Sequence, residues 1–223
     1  MIPLLKRVAV ILAAASFAGA LVVAMLDLPA PTVHLPAAVE ANMAASGVAH
    51  PVTAVLLNFR GYDTLLEVGV LLLALLGVLA VTGVRAAPRA VAPAEPAKRM
   101  LARLLAPLMM LVAVYLLWAG AIQPGGAFQA GAVLAAAAVL LHLTGILPGW
   151  GAPGPRLRVS LAAGFLIFLA VAGALLARGA LLAYPPAQAG MLILLIEAGL
   201  MVSLGLILAG LFLLLSRDSG DEA

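Results

Sequence analysis

Six long apolar runs dominate the chain, and the shorter stretches between them collect most of the prolines and charged residues. A helix that spans the hydrocarbon core of a bilayer needs about 20 mostly apolar residues. The runs cover residues 8–26, 64–84, 104–121, 128–147, 159–180 and 191–216. The pattern predicts an all-α, polytopic membrane protein with six transmembrane helices.

The first run also has features of a secretory signal peptide, because Lys6 and Arg7 precede it and small residues occupy much of 16–24. A usual signal has an apolar core of about 7–15 residues. Because the run over 8–26 is longer, we expect a retained helix, with a cleaved signal as the alternative.

Composition agrees with the apolar pattern, since 65% of the residues are hydrophobic and 9% are charged. Soluble domains contain about 25% charged residues. The net charge of +3 therefore bears on membrane topology, and we expect no nucleic-acid partner. The absence of cysteine excludes disulfides and thiolate ligands within the chain. The sequence contains no catalytic motif and no cofactor-binding motif. We therefore predict that the chain is not an enzyme and binds no cofactor.

The distribution of Lys and Arg predicts that both termini are cytoplasmic, because cytoplasmic loops carry an excess of these residues. Only Arg60 and Arg178 then lie outside. The other ten of the twelve lie inside: Lys6, Arg7, Arg85, Arg89, Lys98, Arg99, Arg103, Arg156, Arg158 and Arg217. We expect a multi-pass protein of the cell inner (cytoplasmic) membrane.

The connections divide the chain into four parts. We predict a two-helix unit over residues 1–85, a cytoplasmic linker rich in Pro and Ala over 86–103, a four-helix domain over 104–216 and a polar tail over 217–223. Segment 27–50, which contains several prolines and an Ala-rich patch, is expected outside the membrane.

The sequence LLNFRGYDTLLEV (residues 56–68) places Arg60, Asp63 and Glu67 at the mouth of the second run. In a structural interpretation, Thr64 and Glu67 form a capping box and Arg60 pairs with Asp63. If a helix instead continues through Gly61, the three charged residues share one face. Charged groups at membrane depth are costly and usually functional, which favours an ion path, and the residues alone leave both interpretations open.

Glu197 is the sharper candidate, because it lies six residues into the sixth run, about 9 Å along a helix. A carboxylate at that depth is either protonated and hydrogen-bonded to a neighbouring helix, or it serves as a station for H⁺ or Na⁺. We favour the station. Gly199, Ser203 and Gly210 lie on an adjacent face and predict close helix packing.

Two further features lie in or next to the fourth run. The sequence PGGAFQAG predicts a tight turn at Pro124, Gly125 and Gly126, followed by a small-residue helix contact at Ala127 and Gly131. His142, near the cytoplasmic end of the run, is either a proton relay or a helix-contact residue.

Two motifs resemble segments of multisubunit Na⁺/H⁺ antiporters of the Mrp (Mnh) type. Residues 50–81 resemble a "VTAVLxDFRGYDTxxE" segment, which in many complexes lies near the C-terminus of the large A-type subunit and in related hydrogenases lies on a small separate subunit. Residues 124–143 resemble the "PGGGFQGG" signature of the B-type subunit. The matching B-type region covers about 104–215 and has four helices with a Glu in the last, as Glu197 is here.

The resemblance implies a fused accessory subunit of such an antiporter or of a related energy-converting complex. Its implied partners are other membrane subunits, the lipid bilayer, and Na⁺ and/or H⁺. The alternative is a purely structural assembly subunit of a redox-driven, hydrogenase- or dehydrogenase-linked complex. The positions that match the family's motifs are Arg60, Asp63, Glu67, Pro124, Gly125, Gly126, Phe128 and Gly131.

The chain departs from the family's pattern at four places. Asn58 replaces an Asp, Leu66 replaces a Gly, Ala127 replaces the third Gly of the turn, and Ala121 lies near the place of a frequent His. These departures are typical of a divergent branch, such as a hydrogenase-linked or respiratory-like complex.

Overall fold

The computed structural model describes residues 2–29, 33–82, 94–147 and 154–215, and these ranges contain helices and turns but no β-strand. One π-helix, Ala54–Phe59, lies between α3 and α4. The α-helices are α1 (Ile2–Leu26), α2 (Leu35–Ser46), α3 (Pro51–Thr53), α4 (Gly61–Thr82), α5 (Pro96–Ala119), α6 (Ala127–Leu143), α7 (Pro155–Leu176) and α8 (Pro186–Leu215).

All six predicted spans are helices, namely α1 and α4 to α8. Five of them are long and apolar enough to cross a membrane, whereas α6 has 17 residues. At 1.5 Å per residue α6 is about 26 Å long, slightly less than a hydrocarbon core of about 30 Å. The prediction of an all-α, multi-pass membrane protein is confirmed.

Segment 27–50 contains a helix that hydropathy does not indicate, since α2 occupies twelve of its residues. His34 starts this helix, since its Nδ1 atom accepts a hydrogen bond of 3.3 Å from the Ala37 N–H. The helix ends at Ser46, whose hydroxyl donates to the Met43 carbonyl at 2.7 Å. Gly47 follows with φ +69°, the left-handed conformation that often ends a helix.

The helices begin earlier than the predicted runs, and α5 and α8 are two examples. Residues 96–103, which the composition assigns to the linker, are the first turns of α5, and Pro96 suits this start because the first helical N–H has no partner. Helix α8 begins at Pro186, five residues before the predicted run. Residues 86–93 of the linker and the tail at 217–223 lie outside the described residues.

The chain forms two compact units, Met1–Ala38 and Val39–Ala223. In the first unit, the described side chains of α1 from Lys6 to Leu26 are all exposed, as expected for a helix whose surroundings are lipid or other chains. In the second unit, α8 packs against α4, α5, α6 and α7 and forms the centre of the bundle.

Glycines set the spacing of α8 from its two main neighbours. A Cβ atom added to Gly131 of α6 would lie 3.0 Å from Leu204 Cβ and 3.3 Å from the Gly205 nitrogen. One added to Gly164 of α7 would lie 2.7 Å from the Gly199 carbonyl oxygen. Small residues let helices approach closely in lipid, where dispersion contacts drive association. Gly131 and Gly199 both lie where the backbones of neighbouring helices approach closely.

The antiparallel order brings several connections to one end of the bundle. The turn over 120–126 joins α5 to α6, and the connection over 177–185 joins α7 to α8. Helix α4 also begins here, since Gly61 contacts Leu182 of the second connection. We call this end, formed by residues 47–61, 120–126 and 177–185, the motif end.

We expect Gly164→Ala to destabilise the protein by about 1–3 kcal/mol, because the new methyl group overlaps the backbone of α8. Gly173→Ala in the same helix is the matched control, since an added Cβ there meets nothing within 4 Å. Both variants gain the same helix propensity, about 1 kcal/mol. Thermal unfolding in detergent measures the difference, and equal stability of the two variants would contradict the packing role of Gly164.

Candidate functional site

A helix break lies at the centre of the first motif. The π-helix Ala54–Phe59 ends at Arg60, which has φ −128° and ψ 32° and whose N–H donates to the Val55 carbonyl at 2.9 Å. Helix α4 starts at the next residue, Gly61. The interpretation in which one α-helix continues through Gly61 is therefore wrong. Short π-helices are frequent at functional sites.

Leu182 explains why the break contains a glycine. A Cβ atom on Gly61 would lie 3.1 Å from the Leu182 Cδ1 atom. Leu182 is buried and has φ 55°, a conformation that non-glycine residues rarely adopt. The connection between α7 and α8 thus presses a side chain against the start of α4, and a larger residue at position 61 would have to displace it.

The predicted capping box is wrong, because Thr64 lies inside the first turn of α4 rather than before it. Its hydroxyl donates a hydrogen bond of 2.6 Å to the Leu56 carbonyl of the π-helix, and so bridges the break. Glu67 is exposed, and no described residue pairs with it or donates a hydrogen bond to its side chain. Its carboxylate faces away from the other described residues of the second unit.

Arg60 and Asp63 form an ion pair, with 2.5 Å between Nη2 and Oδ2. Asp63 lies in the first turn of α4, where the helix dipole favours a negative charge. The side chain of Arg60 is 66% exposed and that of Asp63 is 39% exposed, so water screens the pair. The structure thus joins Arg60 with Asp63 at the motif end and leaves Glu67 separate.

Asn58, which replaces the family's Asp, has a structural use here. Its Nδ2 group donates a hydrogen bond of 2.7 Å to the Ser46 carbonyl at the end of α2. A carboxylate accepts hydrogen bonds but does not donate them when ionised. The amide therefore ties the π-helix to α2, which an ionised aspartate at the same position would not do.

Glu197 meets the second motif inside the bundle. Its side chain is buried, and its Oε1 atom accepts a hydrogen bond of 3.4 Å from the Ala127 N–H. A Cβ atom on Gly126 would lie 2.6 Å from Oε1, and Gly126 has φ +103°. Position 126 thus requires glycine for its backbone conformation and for the close approach of the carboxyl group. The positive end of the α6 dipole also faces the carboxyl.

The turn that carries Gly126 is held by backbone contacts. The Gly126 N–H donates to the Leu116 carbonyl at 2.8 Å. A Cβ atom on Gly120 would lie 2.7 Å from the Gly126 Cα atom, so the two backbones touch. Thr53, from the first motif, donates a buried hydrogen bond of 2.6 Å to the Gly120 carbonyl. The two motifs, distant in sequence, therefore meet at this turn.

The remaining motif residues surround the turn. Pro124 is exposed and Gly125 is half-buried. A Cβ atom on Gly125 would lie 2.9 Å from the Gly120 nitrogen, which shows why the turn needs a small residue there. Phe128 is half-buried and packs against the main core of the bundle.

His142 lies apart from Glu197, because it occupies the last turn of α6 whereas Ala127 begins that helix. Fifteen residues of helix correspond to about 22 Å. His142 is half-buried, and its Nδ1 atom has no hydrogen-bonding partner among the described residues. The structure does not bring His142 to Glu197.

Sequence reasoning singled out neither Thr53, although it lies within the first motif, nor Tyr184, which carries no signal in the sequence pattern. Tyr184 is buried in the connection between α7 and α8, and burial raises the pKa of its phenol, which stays protonated. Its hydroxyl has no hydrogen-bonding partner within the described part of the chain. In the same part of the chain, no group of three or more His, Asp or Glu residues is placed to hold a metal ion.

Solved structures share this fold. A chain of the membrane-bound sulfane sulfur reductase (MBS), an archaeal respiratory membrane complex, has 25% identity and a TM-score of 0.71, with coverage of 95% of this chain and 98% of that one. A chain of the Mrp complex from Dietzia sp. DQ12-45-1b has 23% identity and a TM-score of 0.68. That match covers 98% of this chain but 27% of the Mrp chain, so this chain spans about a quarter of the length of the Mrp chain.

Sequence comparison gives the family. Comparison with curated protein sequences finds no significant match. The profile of a domain related to the MnhB subunit of Na⁺/H⁺ antiporters matches residues 97–214, which is more than half of the chain and includes α6, α7 and nearly all of α5 and α8. The chain therefore belongs to the family of proteins that carry this MnhB-related domain.

Proposed function

We propose that the chain is an accessory membrane subunit of a cation/proton antiporter-type complex and contributes to the Na⁺/H⁺ path or its coupling. The observation that carries this proposal is the buried Glu197 carboxyl at the first turn of α6. A buried carboxylate is unfavourable unless it is protonated or paired with a cation. A group in that position exchanges H⁺ for a metal cation when both reach it, which is the chemistry of an ion station.

The Arg60–Asp63 pair and Glu67 form the proposed entrance. Glu67 lies six residues into α4, about 9 Å along the helix, and its carboxylate is exposed without a described partner. Exposed carboxylates at that depth are unfavourable in lipid. Its exposure therefore supports an aqueous path or a neighbouring subunit that covers this side of α4. Larger subunits on other chains would carry out proton translocation proper.

The comparisons support the same assignment. Both similar structures are chains of multisubunit membrane complexes, a respiratory one and an Mrp one. In the Mrp complex the fold is part of a longer chain, which supports a fused unit made of the first motif and the MnhB-related domain. With both termini in the cytoplasm of a cell with an inner membrane, the motif end faces outward.

The second candidate function is a purely structural assembly subunit of a redox-driven complex. One observation favours it: Arg60 and Asp63 neutralise each other within the chain and thereby leave no net charge at the break. In that case, substitutions at the motif end reduce the amount of assembled complex but not the transport of what assembles.

We expect Glu197→Gln to lower cation-dependent proton flux about tenfold or more in vesicles that contain the assembled complex. The amide cannot exchange a proton for a cation, and a hydrogen bond to a charged group contributes about 1.5–3 kcal/mol, where ~1.4 kcal/mol is tenfold. Glu95→Gln is the control, because Glu95 is exposed and its carboxylate pairs with Lys98 at 3.5 Å on the surface. Native gels measure assembly in parallel. Normal flux in E197Q would rule out the ion station, and reduced assembly with normal flux per complex would favour the structural role.

We expect Glu67→Gln to raise the cation concentration at half-maximal flux about fivefold, since two unit charges 4 Å apart attract by ~1 kcal/mol in water. The maximal flux should change little, because the residue acts at the entrance. Salt screens exposed charges, so the difference from the unaltered protein should shrink at high ionic strength of an untransported salt. A difference that is independent of salt would contradict the electrostatic role. The matched control is Glu40→Gln, because Glu40 is an exposed acid of α2.

A further inference from the structure

Thr53 joins the two motifs by a single buried hydrogen bond. Its hydroxyl donates to the Gly120 carbonyl at 2.6 Å, across 67 residues of sequence. Thr53 is 7% exposed and directly precedes the π-helix Ala54–Phe59. Buried polar groups need partners, and a carbonyl that loses its donor in an apolar environment is strongly unfavourable. The hydroxyl therefore determines where the end of α5 lies relative to the π-helix.

The position of Gly120 in turn determines that of Gly126. A Cβ atom on Gly120 would lie 2.6 Å from the Gly126 nitrogen and 3.1 Å from the Gly125 carbonyl carbon, so the turn folds back onto Gly120 without any side chain between them. The Gly126 N–H also donates to the Leu116 carbonyl of α5. Because close-packed backbones transmit small displacements, a shift of Gly120 moves Gly126 with it.

Gly126 and Ala127 contact the Glu197 carboxyl directly. The Ala127 N–H lies 3.4 Å from Oε1, and Gly126 leaves no room for a side chain beside the same oxygen. The hydrogen bond is long, so a small displacement of the turn makes it or breaks it. This contact is the last step of a continuous series that starts at Thr53.

The geometry points to Thr53 as a positioning residue for Glu197, acting through Gly120 and Gly126. This inference rests on the proposed role of Glu197 as an ion station. It adds a physical connection between the entrance and the station, because the π-helix that follows Thr53 ends at Arg60, the residue paired with Asp63. The hydrogen bond between Thr53 and Gly120 thus sets the cation affinity of Glu197, in addition to holding the bundle together.

Two substitutions separate the hydroxyl from the shape of the side chain. Thr53→Val keeps the branched shape and removes the donor, and Thr53→Ser keeps the donor. In the assembled complex, we expect T53V to raise the cation concentration at half-maximal flux about fivefold, the effect of losing one hydrogen bond of about 1 kcal/mol. We expect T53S to restore a value near that of the unaltered protein. A general packing defect would not be rescued by the smaller serine.

The double variant T53V/E197Q tests whether Thr53 acts through Glu197. Residues that act on one another show non-additive effects, so the residual flux of E197Q should be unchanged by T53V. Additive losses, or an unchanged half-saturating concentration in T53V alone, would overturn the inference. Normal flux in E197Q would instead reject the proposed station, whatever the result for Thr53. The two failures are therefore distinguishable.

Assembly is measured on native gels for every variant. If T53V fails to assemble, Thr53→Ala removes the same hydroxyl without any β-branched group facing the turn. Loss of assembly in both T53V and T53A, with normal assembly in T53S, would assign Thr53 a purely structural role and overturn its positioning role. Assembled T53A with weakened cation affinity would support the inference.

Discussion

The contact between the Glu197 carboxyl and the backbone at Gly126 and Ala127 is the constraint on which the motif end depends. An acid buried in an apolar bundle needs donors, and here the donor within the described residues is a backbone N–H at the first turn of α6. That N–H is accessible because Gly126 has no side chain and adopts φ +103°. The turn must then fold back tightly, which also requires glycine at positions 120 and 125.

Hydropathy predicted the helices well because lipid imposes a simple requirement. Every backbone group at membrane depth needs an internal partner, so long apolar runs such as 64–84 become helices. The helix ends were less predictable, because α8 extends to Pro186 and α5 to Pro96 beyond the apolar residues. Outside the hydrocarbon core the same rule does not apply, and the Ala-rich segment that forms α2 gave no periodic signal.

The candidate site was predictable in its residues but only partly in its geometry. Charge in an apolar run identified Glu197, and motif resemblance identified Gly126, but neither indicated that the two touch. Gly61 packs against Leu182, and the Thr53 hydroxyl bonds to the Gly120 carbonyl, so both contacts join parts of the chain that are distant in sequence. The local sequence around Thr64 fits a capping box, but the prediction is wrong. The Thr64 hydroxyl donates instead to the Leu56 carbonyl on the other side of the break.

The break itself explains why these charges and hydroxyls cluster at one end. A π-helix that stops at Arg60 leaves its last carbonyls without the partners that a continuous helix would supply. Thr64 satisfies the Leu56 carbonyl, and Asn58 fixes the same segment to α2. Because Thr64 satisfies the Leu56 carbonyl, the Arg60 and Asp63 side chains pair with each other, and Glu67 is left unpaired within the described part of the chain. The carboxylate at position 67 is therefore available to ions or to a neighbouring chain, rather than being needed to hold the start of α4.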